Sequence, residues 1–184
     1  MNRSLKYKLD TAGIIAFVAC VIAITFISKA MYLFGIDSEN PVMIIVVEAF
    51  IAFASALFGP ITGALSGFLG IVCANEYCGV SIMFVDAITL SAIGVMIGIF
   101  ADHYGVRDRN FTPKNMYLFN LTHAMSLIAG FIFIRPYLAY IFEKKELFAG
   151  INTGLYVTVV CFVAVGIVVT GLLYIISKSI SKKK

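Results

Sequence analysis

One stretch decides the fold, Phe58-Gly59-Pro60-Ile61-Thr62-Gly63-Ala64-Leu65-Ser66-Gly67-Phe68-Leu69-Gly70 at residues 58–70. Gly59 can take backbone conformations closed to other residues, and Pro60, which has no amide hydrogen, suits the first position of a helix. One helix therefore ends just before Gly59 and another begins at once. Gly59, Gly63 and Gly67 recur every fourth residue, which leaves a face without side chains where a neighbouring helix packs closely.

The composition is that of a protein embedded in a membrane. Of the 184 residues, 61% are hydrophobic and only 13% are charged, whereas a soluble domain carries about 25% charged residues. A crossing of the hydrocarbon layer takes about 20 residues, so the length allows six or seven helices with short connections. We therefore expect a single bundle without a water-soluble catalytic or nucleotide-binding part.

Hydropathy divides the chain into apolar segments, each of which predicts a helix. The predicted bounds are 11–28, 42–58, 60–74, 81–100, 116–134 and 150–176. Pro136 is predicted to end the fifth helix, since proline removes a hydrogen-bond donor and disfavours helix in the residue before it. The prediction is an all-α integral membrane protein, a six-transmembrane-helix bundle that forms one domain over residues 1–184.

The distribution of basic residues predicts the orientation. If both termini lie on one side, that side receives all but four of the 14 Lys and Arg residues; the others are Lys29, Arg135, Lys144 and Lys145. An excess of Lys and Arg marks the cytoplasmic face. Both termini are therefore predicted to be cytoplasmic.

The basic start followed by an apolar run also resembles a signal peptide. The apolar run is long for a signal peptide, and an uncleaved first helix is expected.

Polar side chains within the spans concentrate toward the predicted outer end. Such groups are costly in a membrane and usually face a cavity or a partner. A polar cavity with aromatic walls, open to the outside, would account for them. The candidate substrate-binding residues are Glu48, Asn75, Glu76, Asp86, Arg135, Asn152, Tyr77 and Tyr156.

Several of these residues have a second interpretation. Glu76 and Arg135 could be solvated at the interface, and Asp86 could cap its helix or pair with Arg135. Glu48 lies about two turns inside its helix, where it needs a proton, a cation or a hydrogen-bond donor. His123 is placed deeper, toward the cytoplasmic end, where a packing role is favoured over ligand contact.

Catalytic and metal-binding signatures are missing from the sequence. It contains no HExxH, GxSxG or CxxC motif and no phosphate-binding glycine loop with a Lys. The four cysteines lack metal-ligand spacing, and nothing points to nucleic acid. We therefore expect no enzyme activity, no cofactor and no metal. If the protein belongs to a transporter that uses ATP, a separate subunit would have to hydrolyse the ATP.

Several motifs together resemble the substrate-binding S components of energy-coupling factor (ECF) transporters. The chain is most similar to an S-component family of about this length whose members are largely without an assigned substrate. The resemblance rests on residues 58–70, which are similar to that family's FGPxxGxxxGFxG, on Phe119-Asn120, on Pro136 and on Thr153-Gly154-Leu155. It covers about residues 41–173.

The resemblance implies a protein of the prokaryotic cell membrane that captures a vitamin or related small molecule on its outer side. It implies a transmembrane T subunit and two ATP-binding subunits as partners, besides membrane lipids. It also implies that a small-residue pattern on the first helix contacts the T subunit. The residues that match this pattern are Ala12, Ala16, Ala19 and Ala23.

The chain departs from the family pattern where a ligand would bind. After Gly70 the family commonly has a histidine and then a Lys-Asp pair, whereas this chain has Ile71, Ala74 and Asn75, and it contains no Trp. Tyr and Phe rings beside carboxylates and a guanidinium suit a flat heterocycle with polar substituents. That substrate class is the hypothesis from the sequence.

Two alternatives belong to other functional classes. The first is an intramembrane enzyme acting on lipid or isoprenoid head groups, with Glu48, Asp86 and His123 as acid-base groups, which needs these three residues to converge. The second is a scaffold without a ligand, in which Glu48 would matter only for stability. Gene neighbours that encode ATPases, a bound small molecule or product formation from lipid extracts would separate these possibilities.

Overall fold

The computed structural model describes residues 11–36, 40–81, 84–108 and 110–181, and every regular element within them is helical. Some residues used in the predictions lie outside this part of the chain. They are residues 1–10, Asp37 and Glu39 between the first two predicted helices, Ile82 and Met83 in the fourth predicted helix, Arg109, and the final lysines 182–184.

The helices follow one another with short connections. Their bounds are α1 Thr11–Leu33, α2 Pro41–Phe58, α3 Pro60–Cys78, α4 Phe84–Ile99, α5 Ala101–Tyr104, α6 Pro113–Leu127, α7 Arg135–Glu143 and α8 Leu147–Ser181, with a π-helical segment, Ile128–Ile134, between α6 and α7. The end of the bundle where α2 begins, α3 ends and α4 begins is called the Asp86 end below.

The longer helices have the length and surface of membrane-spanning helices. Thr11–Leu33, Pro113–Glu143 and Leu147–Ser179 are long and apolar enough to cross a membrane, and Val42–Phe58 and Phe84–Ile99 are shorter apolar helices. Large apolar side chains point outward from them; Ile167, for example, is 72% exposed. Such a surface fits a hydrocarbon environment.

The turn at Gly59 has the predicted form. Gly59 has a φ of +92°, a value that side chains disfavour, and its N–H donates to the Ser55 carbonyl at 2.9 Å. Pro60 follows as the first residue of α3. The prediction that one helix ends and another begins at this pair is confirmed.

The glycines of α3 lie where α3 crosses α4. A Cβ atom on Gly63 would stand 2.6 Å from the Gly94 carbonyl oxygen, and one on Gly67 would stand 2.7 Å from the backbone of Leu90. A Cβ on Gly98 would meet the backbone of Gly59 and Pro60. The two helix backbones therefore approach so closely that only glycine fits at these positions.

The prediction that Pro136 ends the fifth helix is wrong. The helix runs without a break over Pro113–Glu143. The π segment, Ile128–Ile134, directly precedes the proline turn, and the Arg135 N–H donates to the Gly130 carbonyl across it. Within a membrane, such a local change of hydrogen-bond register accommodates the donor that proline lacks.

Three further helices, α1, α3 and α8, are longer than predicted. The first was expected to end at Ser28 because Lys29 is charged, but it continues to Leu33 and ends before Gly35, which has a φ of +78°. The Lys29 ammonium lies 5.7 Å from the Tyr32 ring centroid and 5.5 Å from that of Tyr77. A lysine placed in this way keeps its stem on the helix, so its charge does not require a loop.

The hydrophilic connection after α4 is packed against the bundle. Tyr104 is fully buried, and its hydroxyl lies 2.9 Å from the Ile97 carbonyl oxygen and 2.6 Å from Thr122 Oγ1. Burial raises the pKa of Tyr104 to about 12 against the smaller opposing effect of the Thr122 hydrogen bond. This connection therefore ties α4 to α6 at the end opposite Asp86.

Candidate functional site

A cavity of about 70 Å³ lies inside the bundle at the Asp86 end. Its walls come from α1, α2, α3, α4 and the π segment, and most of them are apolar. The residues that line it are Ser28, Tyr32, Met43, Ile44, Val47, Ile71, Ala74, Asn75, Cys78, Val80, Asp86, Leu90 and Phe131. A volume of this size admits a few water molecules or the edge of a small ring.

Asn75 presents an amide group to this cavity. The residue is only 6% exposed, and its Nδ2 atom is buried without a hydrogen-bond partner in the described structure. A buried amide left in this state costs about 1–3 kcal/mol. Asn75 thus holds a donor that a bound molecule could satisfy.

The position of Asn75 differs from the predicted one. The sequence predicted a polar loop over residues 75–79, but α3 continues to Cys78 and is capped by Gly79, which has a φ of +74° and donates to the carbonyls of Asn75 and Glu76. The polar side chains did not end the helix; the left-handed cap falls at Gly79, the residue type that adopts it most readily.

Asp86 and Arg135 form an ion pair beside the cavity. Arg135 Nε donates to Asp86 Oδ1 at 2.6 Å, and both side chains are 18% exposed. This pairing was one of the alternatives left open by the sequence, and the structure confirms it. The pair brings α4 together with the start of α7.

A cleft of about 420 Å³ adjoins the cavity, and Ile44 and Asp86 line both. This larger space has the size of a small-molecule site. Its other lining residues are Val85, Arg135, Pro136, Ala139, Glu143, Lys145, Glu146, Ala149, Gly150, Thr153, Tyr156 and Val157. The carboxylate of Asp86 is therefore accessible from the cleft as well as from the inner cavity.

The remaining predicted binding residues do not line these two spaces. Glu76 and Asn152 are exposed. Tyr77 is 52% exposed, and its ring packs edge-on against Phe26 with centroids 5.8 Å apart. Of the predicted set, the structure therefore brings together Asn75, Asp86, Arg135 and Tyr156.

Glu48 was predicted to line the cavity, but it forms a buried pair with His123. Glu48 Oε1 and His123 Nε2 are 3.0 Å apart, and both side chains have no exposed surface. The placement of His123 near the opposite end from Glu48 is wrong. His123 follows Pro113 by ten residues and Glu48 precedes Phe58 by ten, so both lie about 15 Å from the same end of the bundle.

This geometry bears on the enzyme alternative. Two of its three residues meet, but Asp86 pairs with Arg135 instead. The Glu48–His123 pair is closed to solvent, so no reacting group of a lipid reaches it in this conformation. Among the described residues, no group of three or more His, Cys, Asp or Glu side chains is placed to hold a metal ion.

Of the thirteen residues that line the cavity, the sequence reasoning found Asn75 and Asp86 and missed the other eleven. Among the missed residues are Ser28 and Tyr32 at the end of α1 and Phe131 in the π segment. The aromatic and small residues at the end of α1, spaced four apart, were an available signal, since positions i and i+4 share a helix face.

The small residues of α1 lie beside its buried face. That face consists of Gly13, Cys20, Ile24 and Ser28. Among the predicted contact residues, Ala12 and Ala19 are exposed, and Ala16 and Ala23 are partly buried. The strip defined by these four alanines is thus accessible along part of its length.

Asn120 connects two helices at the end opposite Asp86. Its Nδ2 donates to Thr170 Oγ1 of α8 at 3.0 Å. Asn120 therefore ties α6 to α8.

Comparison with known proteins gives a match along nearly the whole chain. The family described as "ECF-type riboflavin transporter, S component" matches residues 10–178. A UPF0397 protein of Exiguobacterium sp. is 34% identical over 90 residues, which are 49% of this chain and 49% of that protein. A UPF0397 protein of Enterococcus faecalis is 28% identical over 134 residues, 73% of each chain.

A third relative, a UPF0397 protein of Lacticaseibacillus casei, is 32% identical over 117 residues, 62% of this chain and 61% of that protein. In its alignments with the Exiguobacterium protein and with a UPF0397 protein of Streptococcus thermophilus, the chain spans about half the length of the relative. No solved structure matches the chain.

Proposed function

This chain belongs to the ECF transporter S components, in the family described as ECF-type riboflavin transporter, S component, and from that premise we propose that it captures a vitamin-like small molecule for import. The family is one of transporter components, not of catalysts. The observation that carries the proposal is the unpartnered amide of Asn75 in a cavity that shares Ile44 and Asp86 with an adjoining open cleft.

The proposed topology has six membrane spans with both termini in the cytoplasm. α1, α2, α3, α4, the continuous helix Pro113–Glu143 and α8 would be the spans. Support comes from the apolar helices and from the Lys and Arg distribution in the sequence. In this orientation the Asp86 end faces the outside of a prokaryotic cell, which is where a substrate would be captured.

We propose the T subunit and two ATP-binding subunits of an ECF transporter as partners. The described chain has no nucleotide-binding motif of its own. Energy for release into the cytoplasm would therefore come from the partner ATPases, and the exposed part of the α1 alanine strip would contact the T subunit.

The proposed substrate is a flat heterocycle with polar substituents. Its polar edge would accept a hydrogen bond from Asn75 Nδ2, and its body would occupy the cleft beside Tyr156 and the Asp86–Arg135 pair. Together with Glu143, Lys145 and Glu146, the pair gives the cleft lining a net formal charge of −1 (three acidic and two basic residues), which disfavours an anionic ligand. The family description names riboflavin, so riboflavin is the first probe to use.

Binding to the purified protein tests the proposal directly. Riboflavin fluorescence would be followed on titration with the protein in mild detergent, beside a panel of other heterocyclic and aliphatic vitamins. Saturable binding of at least one heterocycle, weakened about tenfold or more by Asn75→Leu, is expected. Binding restricted to aliphatic or inorganic compounds would overturn the substrate class.

Co-purification from native cells tests the assignment of partners. A tagged chain should recover a second membrane subunit and two ATPases, identified by mass spectrometry together with any released small molecule. Folded protein that recovers neither partners nor ligand would favour the scaffold alternative.

A further inference from the structure

The buried ring of Phe131 forms part of the cavity wall. Phe131 is 2% exposed and lines the cavity, whereas Phe133, two residues further along the same π segment, is 65% exposed at the surface of the bundle. Of the lining residues, Tyr32 is the other one with an aromatic ring, and it is 40% exposed. The width of the cavity on this side therefore depends on where the backbone of the π segment holds Phe131.

The backbone carbonyl of Phe131 lacks its usual donors. In an α-helix it would accept from Arg135, four residues on, but the Arg135 N–H donates to the Gly130 carbonyl instead. The next donor along the helix would be residue 136, which is a proline and has no N–H. The Phe131 carbonyl therefore has neither the α-helical nor the π-helical donor of its own helix.

Gly154 of α8 lies against this carbonyl. A Cβ atom at position 154 would stand 2.8 Å from the Phe131 carbonyl carbon, closer still to its oxygen, and 3.5 Å from Ile132 Cα. In glycine a hydrogen atom points in that direction, and a Cα–H that faces a carbonyl oxygen is a recurring contact between closely packed helices. The π segment thus packs on α8 at a place where a side chain would displace it.

The π segment also packs against α4. A Cβ atom on Gly130 would stand 2.5 Å from Ile93 Cδ1, and the Ile93 side chain is fully buried. One residue before the segment, the Leu127 carbonyl accepts from the hydroxyl of Thr158 on α8 at 3.4 Å. The segment is therefore held between α4 and α8, and the Phe131 ring leaves the cavity wall only if this backbone moves.

We propose that Phe131 is a specificity-determining residue whose ring sets the width of the ligand that the cavity admits, and that Gly154 positions it. This role rests on the proposed function of the cavity. Phe131 faces the ligand directly, whereas Gly154 acts only through the backbone of Phe131. A smaller residue at position 131 should admit a wider ring, and a larger residue at position 154 should displace the wall and weaken binding.

Benzene tests the position of the ring without a natural ligand. Phe131→Ala enlarges the cavity by about the volume of a phenyl group, and an apolar cavity of that size takes up benzene. Benzene should therefore raise the melting temperature of Phe131→Ala in detergent by about 2 °C or more relative to the wild type. Phe133→Ala, which removes an exposed ring from the same segment, is the matched control and should respond like the wild type. Equal benzene shifts in the three proteins would overturn the proposal.

Ligand selectivity tests what the ring does. The affinities of riboflavin, which has three fused rings, and of nicotinamide, which has one, would be compared in the wild type, Phe131→Leu and Phe133→Leu. Phe131→Leu should shift the ratio of the two affinities about tenfold toward riboflavin, and Phe133→Leu should leave it unchanged. An unchanged ratio in Phe131→Leu refutes the role of Phe131 and leaves the proposed function standing.

Two other outcomes of the Phe131 experiments are also decisive. If the wild type binds neither compound nor any other heterocycle, the proposed function fails, and the role of Phe131 fails with it. If neither Phe131→Ala nor Phe131→Leu folds, the ring is needed for the fold itself, and its role in selecting a ligand is wrong.

Hydrogen exchange tests the positioning by Gly154. Gly154→Ala pushes the Phe131 carbonyl away from α8, so the amides of residues 128–135 should exchange about tenfold faster than in the wild type, measured by mass spectrometry on the ligand-free protein. Ligand affinity should fall as well. Gly171→Ala is the matched control on the same helix, because nothing lies within 4 Å of a Cβ there. A folded Gly154→Ala protein with the exchange and affinity of the wild type would show that Gly154 does not position Phe131.

Pro136→Ala covers the case in which Gly154→Ala does not fold. Alanine at position 136 restores an N–H, so the segment can return to α-helical bonding and the Phe131 carbonyl can accept within its own helix. The double variant, Gly154→Ala with Pro136→Ala, should therefore regain the melting temperature that Gly154→Ala loses, or fold where Gly154→Ala alone does not. If the double variant is as unstable as Gly154→Ala, position 154 does not act through this carbonyl, and the proposal is wrong.

Discussion

Substitution of Asn75 should change protein stability and ligand affinity in opposite directions. Its buried amide lacks a partner in the ligand-free protein, so replacement by Leu, which has a similar shape, removes an unsatisfied polar group. We expect Asn75→Leu to raise the free energy of unfolding by about 1 kcal/mol and to weaken ligand binding at least about tenfold. Thermal unfolding and ligand titration measure the two effects.

Asn152 provides the control for this prediction. It carries the same amide but is exposed on α8. Asn152→Leu should leave ligand affinity unchanged. If Asn75→Leu lowers stability and leaves binding intact, Asn75 is a structural residue and not part of the site.

The Asp86–Arg135 pair is predicted to act as a coupled unit. The side chains are 18% exposed and 2.6 Å apart, which is a more protected setting than that of a surface ion pair. A double-mutant cycle with Asp86→Asn and Arg135→Gln should give a coupling free energy of about 1–3 kcal/mol in thermal unfolding. Additive effects of the two substitutions would show that the contact contributes nothing to stability.

At the scale of the helices, the crossing of α3 and α4 should not tolerate a methyl group. A Cβ on Gly63 or Gly94 would stand under 3 Å from the facing backbone, and backbone cannot move aside as a flexible side chain can. Gly94→Ala is expected to lower the free energy of unfolding by about 1–3 kcal/mol. Gly171 is the matched control, because nothing lies within 4 Å of a Cβ there.

Melting temperatures of the two variants decide this prediction. Gly171→Ala should be neutral or slightly stabilising, since Ala favours helix over Gly. Equal melting temperatures for Gly94→Ala and Gly171→Ala would contradict the close approach of the two helices.

Local sequence signals predicted the start of helices better than their ends. The Gly59-Pro60 turn is confirmed because a glycine with positive φ and a proline at the first helical position act through the backbone itself. Pro136 misled the prediction because its effect depends on whether neighbouring turns can change register, and the π segment does so. Lys29 and Asn75 misled it because polarity was taken as a sign of a loop.

The candidate site could be predicted only in part for a related reason. Asp86 and Arg135 were recognised as a potential pair because opposite charges in apolar surroundings need each other. The contact of Glu48 with His123 was missed because the helix that carries His123 was predicted to begin at residue 116, whereas it begins at Pro113. An error of three residues in the start of the helix changes the predicted depth of His123 by about 4.5 Å. That error is large enough to place His123 and Glu48 out of contact.

At the scale of the whole molecule, the candidate ligand site and the proposed partner surface lie toward opposite ends of the bundle. The cavity lies at the Asp86 end, whereas the α1 alanine strip begins at Ala12, at the opposite end of the bundle. α1 reaches the cavity with Ser28 and Tyr32 near its other end. Ligand capture and partner contact are therefore expected to respond separately to substitution.

This separation leads to a prediction for the assembled transporter. Ala12→Leu with Ala19→Leu places bulk on the exposed part of the strip, where a closely packed partner helix would be pushed away. Recovery of the T subunit and ATPases in co-purification should fall several-fold, while ligand affinity of the isolated chain stays unchanged. Val18→Phe is the control, since Val18 is 45% exposed on a different face of α1. If the wild type, the double variant and Val18→Phe recover equal amounts of the T subunit and ATPases, the strip is not the contact with the T subunit. If the double variant also loses ligand affinity, the two surfaces are not independent.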